Sequence, residues 1–211
     1  MKDVLARPTR FVYLMIFFRC FLALVVSFLL FHSASAETTP SSKNTPKPQT
    51  GKEKVINDTK GLQLEEQTRQ DVEWLVLKWT NEERRKRKLP ALTTSLLLGK
   101  LGQVHSLNQA KADLMAHDSD KFPKGWQTFG ERMKKLRYVG PVTYAENVFW
   151  TNQPLPLSSS GRSDYARKMV QAWMSSEGHR KNILHPKFSR MGIGFCQGYV
   201  TQLFASQEPK N

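Results

Sequence analysis

A strictly alternating stretch near the C-terminus most constrains the fold of this chain. In MGIGFCQGYVTQLFA, residues 191–205, large apolar side chains alternate with Gly192, Gly194 and Cys196 until Gln197-Gly198 interrupts the pattern. Alternation with a period of two is typical of a β-strand, and a two-residue break containing glycine is typical of a hairpin turn. Because glycines leave one strand face bare, another backbone or a large ring can approach it closely. The stretch therefore predicts a hairpin with a tightly packed neighbour on its glycine face.

Four helical patterns precede the hairpin. The first ends before Pro90, and the second begins after Ser95 and is expected to end near His117. A short third helix is followed by a fourth, which is predicted to begin at Ser163 and to stop at Gly178. The apolar residues expected to face the core are Val72, Leu75, Val76 and Trp79 in the first helix, Leu97, Leu101, Val104, Ala112 and Met115 in the second, Trp126, Phe129, Met133 and Leu136 in the third, and Ala166, Met169, Val170 and Trp173 in the fourth.

One apolar run lies between the third and fourth helices. YAENVFW, residues 144–150, is predicted to be a buried strand that carries a single acid, Glu146. Helices and antiparallel strands that occur in mixed order favour an α+β layered fold.

The N-terminus has the pattern of a targeting segment. A basic start, the apolar run 21–31 and a small-residue site ending at Ala36 predict a secretory signal peptide, residues 1–36, and export of the remainder after cleavage near Ala36. The alternative is an uncleaved membrane anchor, because residues 11–31 are nearly long enough to cross a bilayer, although Arg19 interrupts them.

A polar segment follows the predicted cleavage point. Residues 37–60 are rich in Pro, Thr, Ser and Lys and poor in large apolar residues, so a disordered linker is predicted over residues 37–66. Cleavage would remove Cys20 and leave Cys196 as the only thiol, which rules out an internal disulfide. The folded part is therefore expected to depend on an ordinary apolar core.

The chain is strongly basic. Its formal charge is +14, and it is +11 without residues 1–36, which carry four basic residues and one acid. Such a charge favours an anionic partner, and for an exported protein we expect an anionic envelope component or lipid, with peripheral membrane contact. No nucleic-acid-binding motif accompanies the charge. The densest basic run, residues 84–88, is either such a contact or a solvated helix end.

Several local motifs together resemble one protein family. They are NEERRKRKLPAL at 81–92, AHDS at 116–119, AENV at 145–148, WMSSEGHRKNIL at 173–184, and MGIGF followed by YVTQLFA. The sequence resembles the CAP superfamily, or SCP-like domain, of cysteine-rich secretory proteins, insect venom antigens and plant pathogenesis-related proteins, in its exported bacterial branch. The resemblance covers about residues 67–206 and leaves 207–211 as a tail. It implies an α-β-α sandwich with a central antiparallel sheet between helical layers.

The resemblance also implies a cleft where His117, Glu146 and His179 converge. Gly178 would let the chain turn so that His179 points into this cleft. Family members with the full set have a second glutamate after the tryptophan that corresponds to Trp173. Here that segment is shorter, and we place Ser176 rather than Glu177 at the cleft.

Two imidazoles near a carboxylate suit a transition ion such as zinc, with His117 and His179 as ligands, although no cofactor is required for a binding role. The alternative is a hydrogen-bonded network that fixes one histidine tautomer. His105 and His185 have no partner in the motif pattern and are expected to be structural or exposed.

Two classes of function fit these features. The first is a binding module for a lipid, sterol or cell-envelope ligand. The alternative is a metal-dependent hydrolase that uses the same cleft. The sequence lacks a Ser-His-Asp order, a His-Glu-x-x-His helix and an activated thiol, so binding is favoured over catalysis.

Overall fold

The computed structural model describes residues 51–138 and 140–210, with side chains described from residue 65 onward. The chain divides into two compact units after Glu66. The predicted signal peptide 1–36, its cleavage site and residues 37–50 of the predicted linker lie outside the described residues. Across the described ranges, no helix combines the length and the apolar character needed to cross a bilayer.

Five helices and four strands make up the described part of the chain. The helices are α1 Gly51–Lys86, α2 Leu96–Ala112, α3 Phe129–Met133, α4 Ser159–Ser175 and α5 Glu177–Ile183. The strands are β1 Thr93–Thr94, β2 Tyr144–Trp150, β3 Arg190–Cys196 and β4 Tyr199–Ala205. They form one sheet in the order β1-β3-β4-β2, in which β1 is parallel to β3 and the other neighbours are antiparallel. The strand β2 therefore lies at one edge of the sheet.

Helices cover both faces of the sheet, which confirms the predicted α+β sandwich. One face packs on α2 and α3, through a cluster that includes Leu98, Leu101 and Leu203. The other face packs on the second unit's part of α1 and on α4 in a larger core around Trp173 and Phe204. The core positions predicted in α4 are confirmed, and in α1 the fully buried residues are Val72 and Val76 and the partly buried ones Leu75 and Trp79.

The first helix begins earlier than the sequence pattern predicted. Residues 51–66 are helical, although they belong to the segment expected to be a disordered linker. Nine of its sixteen residues are Lys, Glu, Leu or Gln, which favour helix. Once the buried turns around Val72 nucleate α1, each further residue adds a hydrogen bond without a new nucleation cost. A polar segment can therefore extend a helix, although it lacks the large apolar residues whose absence led to the linker prediction.

The hairpin forms as predicted, and its glycine face meets α2. The turn residues Gln197 and Gly198 have φ angles of 49° and 83°, the left-handed pair that a type I′ turn requires. A Cβ atom at Gly194 would lie 2.1 Å from the backbone nitrogen of Gln103, and one at Gly192 would lie 2.2 Å from that of Gly99. The helix backbone therefore rests directly on the bare strand.

Replacing Gly194 by alanine is expected to lower the free energy of unfolding by about 2–3 kcal/mol, because the added methyl group must displace the α2 backbone. Gly130→Ala is the matched control. Its Cβ meets nothing within 4 Å inside α3, so this change is expected to be neutral or stabilising by about 0.5–1 kcal/mol. Chemical denaturation measures both effects, and equal stability of the two variants would contradict the close approach of α2.

The second helix differs from the prediction in length and in its buried face. It ends at Ala112, where Asp113 adopts a left-handed conformation, so Met115 and His117 lie in the loop that follows. Met115 is 50% exposed rather than buried. The buried face is largely polar and consists of Leu98, Leu101, Gly102, His105, Ser106, Asn108 and Gln109. An apolar pattern could not reveal this face, because two of its polar side chains bond to the sheet. The Ser106 hydroxyl donates to the Gly194 carbonyl, and Gln109 Nε2 donates to the Thr201 hydroxyl.

The fourth helix begins earlier than predicted, and the turn after it has a different origin. Ser158, not Ser163, caps α4, because its hydroxyl accepts from the Gly161 N–H. The chain changes direction at Ser176, which is extended at φ −91° and ψ 126°. Gly178 lies inside α5 and is not among the residues with positive φ. The glycine is therefore not what turns the chain toward His179.

Candidate functional site

Glu146 is the centre of the candidate site. Its side chain is 1% exposed, and in the sheet it pairs with Leu203 of β4. Its carboxylate accepts a hydrogen bond from His117 Nδ1 at 2.9 Å and from Arg132 Nη2 at 2.9 and 3.0 Å. A buried carboxylate needs such partners, since an isolated charge would carry a large desolvation penalty.

Arg132 is a site residue that the sequence analysis did not single out. It lies on α3, which a capping box between Thr128 and Glu131 begins, and its side chain is 1% exposed. Besides holding Glu146, Nη2 donates to the His117 carbonyl at 2.6 Å. Arg132 therefore fixes both the carboxylate and the loop that presents His117. The available signal was its position beside Met133 on the apolar face of a short helix, where a solvated arginine is not expected.

His117 is the accessible member of the site, with a side chain that is 48% exposed. The hydrogen bond to Glu146 raises the pKa of the His117 imidazole above its ordinary value, although partial burial opposes this effect. Because Nδ1 bonds to the carboxylate, Nε2 is the ring nitrogen left for an external partner. The predicted association of His117 with Glu146 is present in the structure.

His179 belongs to α5 and lies beside His117. The two ring centroids are 6.2 Å apart. Burial lowers the pKa of His179 below its ordinary value, and the neighbouring His117 lowers it further. Within the described part of the chain, the ring nitrogens of His179 make no hydrogen bond. Both histidines thus have an unengaged ring nitrogen, and their rings are neighbours.

Two asparagines hold α5 against the edge strand. Asn182 Nδ2 donates to the Glu146 carbonyl at 3.1 Å and to Asn147 Oδ1 at 2.9 Å. Asn147 Nδ2 in turn donates to the His179 carbonyl at 3.3 Å and to Gln202 Oε1 at 2.9 Å. These hydrogen bonds join the Glu146-Asn147 segment of β2 to residues 179–182 of α5, and they fix the position of His179 relative to Glu146.

A third histidine, His105, lies beneath the site. It is fully buried, and its Nε2 is 3.1 Å from the Ala116 carbonyl and 3.8 Å from Glu146 Oε1. Its Nδ1 has no hydrogen-bond partner among the described residues. Burial lowers the pKa of His105 to about 4. His105 is structural, as expected, but it lies next to the site, which the motif pattern did not show.

The burial of neutral His105 predicts acid sensitivity. Below pH 6.5 the unfolded chain binds a proton at this position, whereas the folded chain binds it only below about pH 4. Stability should therefore fall as the pH drops through this window, by roughly 3 kcal/mol in total for this group. His105→Gln keeps a donor for the Ala116 carbonyl and should lose less stability than wild type between pH 7 and 5. Equal losses in denaturation experiments would contradict this assignment.

The residues at the start of α5 are placed differently. Glu177 is exposed and pairs with Lys181 at 2.7 Å, so its carboxylate is engaged on the outer surface of the helix. Ser176 is half-buried at the junction of α4 and α5, and its side chain makes no capping bond. The placement of Ser176 at the cleft stays a prediction.

The site has few ligands for a metal. No group of three His, Cys, Asp or Glu side chains within the described ranges is arranged to hold an ion. The Arg132 guanidinium already neutralises Glu146, so this carboxylate supports His117 rather than offering a free coordination site. At most two ligands, the imidazoles of His117 and His179, are available to a metal ion at this site.

The basic run at the end of α1 contains a buried residue. Arg84 is 0% exposed and is neither solvated nor available as a surface contact, which corrects both sequence-based interpretations for this position. Its guanidinium donates to four main-chain carbonyls, those of Pro90, Ile183, His185 and Phe188. The exposed neighbours Arg85 and Lys86 pair with Glu82 and Glu83.

A sheet covered by helices on both faces, with a buried glutamate and two histidines beside its edge strand, defines an SCP-like domain. The family model described as "CAP: Cysteine-rich secretory protein family" matches residues 77–207, more than half of the chain. The chain belongs to the CAP family, as the motifs predicted.

Individual relatives are more distant. The "Uncharacterized protein YkwD" of Bacillus subtilis (strain 168) is 30% identical over 122 residues, which cover 58% of this chain and 41% of that protein. An extracellular protein containing a SCP domain from Bacillus anthracis str. Ames is 25% identical, with a TM-score of 0.49 and coverage of 63% and 39%. An outer surface protein of Borrelia burgdorferi is 15% identical, with a TM-score of 0.49 and coverage of 68% and 96%. The chain thus spans less than half the length of both Bacillus proteins.

Proposed function

We propose that this chain is an exported binding protein that takes a cell-envelope ligand, such as a lipid, sterol or wall component, beside His117 and His179. The observation that carries the proposal is the pair of adjacent imidazoles with unengaged ring nitrogens, one of them fixed by a buried Glu146–Arg132 pair. Polar groups held rigidly by a buried network are typical of recognition sites, because little order must be gained on binding. The signal-peptide pattern and the secretory description of the family support export.

Binding is better supported than hydrolysis. A carboxylate that activates water must reach the water, but Glu146 is 1% exposed and is engaged by Arg132 and His117. Its role in this arrangement is to orient the His117 ring. The raised pKa of His117 and the basic composition favour an anionic ligand group, because the protonated imidazole would then pair with it.

Native mass spectrometry of the full chain, recovered from its own envelope, tests this proposal. Wild-type protein is expected to carry a bound species that is absent from His179→Ala. His185→Ala is the matched control, since that ring contacts Phe188 away from the cleft. The same bound species on His179→Ala as on wild type, or wild-type protein with no bound species, would contradict the proposal.

Zinc is the second ligand that we propose for the His117–His179 pair, because an imidazole hydrogen-bonded to a carboxylate is a common metal ligand. Calorimetric titration of wild type is expected to show one zinc ion per chain, because a neutral imidazole can donate its lone pair. The affinity should fall with decreasing pH, first as His117, whose pKa lies above its ordinary value, takes up a proton. His179→Ala should abolish this binding, whereas His185→Ala should keep it. Stoichiometric zinc binding by His179→Ala would refute coordination of zinc by the two histidines.

A further inference from the structure

A run of unpaired cations lies on the segment that includes α3. Residues 121–137 carry five exposed basic side chains: Lys121, Lys124, Lys134, Lys135 and Arg137. Within the described part of the chain, none of these five side chains makes an ion pair with an acid. Glu131, the acid of the same segment, is engaged in the capping box of α3. The segment therefore presents positive charge that the chain itself does not neutralise.

Exposed cations on two other helices are paired instead. Arg85 and Lys86, at the end of α1, each pair with an acid one turn earlier, and Lys181 pairs with Glu177 on α5. The basic composition is thus balanced locally on these helices but not along residues 121–137. A concentration of unbalanced charge on one face favours an anionic partner at that face.

A second observation is the position of Lys210 opposite Arg137. The two residues form an isolated antiparallel bridge, in which the Lys210 N–H donates to the Arg137 carbonyl at 2.7 Å. Residues directly opposite in such a bridge have Cβ atoms about 5 Å apart, and like charges placed there repel each other. An anion that contacts both side chains would remove this repulsion.

Aromatic rings lie among these cations. Lys135 Nζ is 4.3 Å from the centroid of the Trp126 ring. The Tyr144 side chain is 41% exposed, and its ring centroid lies 5.4 Å from that of Phe129 on α3. Trp and Tyr accumulate at membrane–water boundaries, because each has an apolar body and a polar end. A hydrated polyanion would leave the exposed part of Tyr144 in water, whereas the headgroup region of a bilayer would cover it.

We propose that this face docks the protein on a bilayer that contains anionic lipids. The docking face consists of the five cations of residues 121–137 together with Trp126, Tyr144 and Lys210. Its cations would pair with lipid phosphate groups, and its two rings would lie at headgroup level.

The docking face adjoins the histidine cleft through Arg132. Arg132 Nη1 donates to the Trp126 carbonyl at 3.3 Å, and Nη2 donates to the His117 carbonyl at 2.6 Å. A docked bilayer would therefore lie beside the cleft. The inference goes beyond the proposed function, because it names a second surface and does not depend on what the cleft binds.

Lysine footprinting of the full chain on vesicles tests the proposal. Acetylation by a soluble reagent is followed by mass spectrometry, with vesicles of equal parts phosphatidylglycerol and phosphatidylcholine or of phosphatidylcholine alone. Only the anionic vesicles are expected to slow the acetylation of Lys124 and Lys135, by about fivefold. Lys86 and Lys181 are internal controls and should react equally in both. Because lysines of one chain are compared, the result reports the contact face whether or not another segment also binds the vesicle.

Two triple variants with the same change of net charge locate the electrostatic contact. The first removes three cations of the docking face: Lys124→Gln, Lys135→Gln and Arg137→Gln. The control removes three paired cations elsewhere: Arg85→Gln, Lys86→Gln and Lys181→Gln. In sedimentation with anionic vesicles, the first should bind about tenfold more weakly than wild type. The control should bind within about twofold of wild type at physiological salt, since distant charges are screened.

Further variants separate the bilayer from other partners. Tyr144→Ser leaves the charge unchanged and should weaken vesicle binding about threefold. Leu157→Ser is its control, because Leu157 is 70% exposed in the loop before α4, and it should bind as wild type does. His179→Ala should also bind vesicles normally, so failure of this proposal would leave the cleft proposal intact.

Four results would overturn the proposal. They are equal protection of the docking-face and control lysines, equal weakening by the two triple variants, undiminished vesicle binding by Tyr144→Ser, and binding of soluble polyphosphate as tightly as anionic vesicles.

Discussion

Replacing Arg132 by methionine is expected to lower the free energy of unfolding by about 3–5 kcal/mol. The substitution removes the cation that neutralises Glu146, while both side chains are only 1% exposed. Methionine keeps most of the volume, so the loss reports on the stranded carboxylate rather than on a cavity. The loop that carries His117 also loses the guanidinium bond to its carbonyl.

A double-mutant cycle supplies the control for this prediction. Combining Arg132→Met with Glu146→Gln removes the stranded charge, so the double variant should be more stable than Arg132→Met alone. Urea denaturation at pH 7 measures all four proteins. A loss below about 1 kcal/mol for Arg132→Met, or a double variant no more stable than that single variant, would show that the pair is not a buried ion pair in solution.

Arg84→Ala is the second change with a large expected effect, a loss of about 3 kcal/mol or more. The guanidinium donates to carbonyls from two separate segments, around Pro90 and between Ile183 and Phe188, and alanine leaves these acceptors without their charged donor. Arg85→Ala is the neighbouring control. It removes only an exposed pair with Glu82, so no measurable change in stability is expected.

Arg84→Lys refines this test, because an ammonium group keeps the charge but cannot reproduce the forked geometry of a guanidinium. It should fall between wild type and Arg84→Ala in thermal melts. Equal melting temperatures for Arg84→Ala and Arg85→Ala would return residue 84 to the role of a solvated helix end.

The elements that the sequence predicted well are those whose pattern is local. The hairpin follows from alternation and a Gln-Gly turn, and β2 spans residues 144–150 as its apolar run indicated. The core face of α4 follows from helical spacing alone, because its neighbours accept any well-packed apolar surface. Periodicity is informative when the buried face is apolar.

The buried side chains that the sequence did not predict are polar residues whose partners are remote in sequence. Arg84 bonds to carbonyls about one hundred residues away, and Arg132 to a carboxylate on the edge strand. The polar face of α2 is buried because bare glycines on β3 admit the helix backbone, a tertiary effect that hydropathy does not encode. Of the site, the resemblance implied that His117, Glu146 and His179 converge, while the arginine and the two asparagines that position them emerged only from the structure.

The central claim is that His117 and His179 present unengaged ring nitrogens to an envelope ligand. Long-range ¹H–¹⁵N correlation spectra of protein labelled at histidine measure this directly, because imidazole nitrogen shifts report hydrogen bonding at each ring. On titration with an extract of the protein's own envelope, we expect the nitrogen signals of His117 and His179 to shift together and saturably, while those of buried His105 and of His185 stay in place. If the signals of His117 and His179 do not change, the account is contradicted, whether or not the signals of His185 shift.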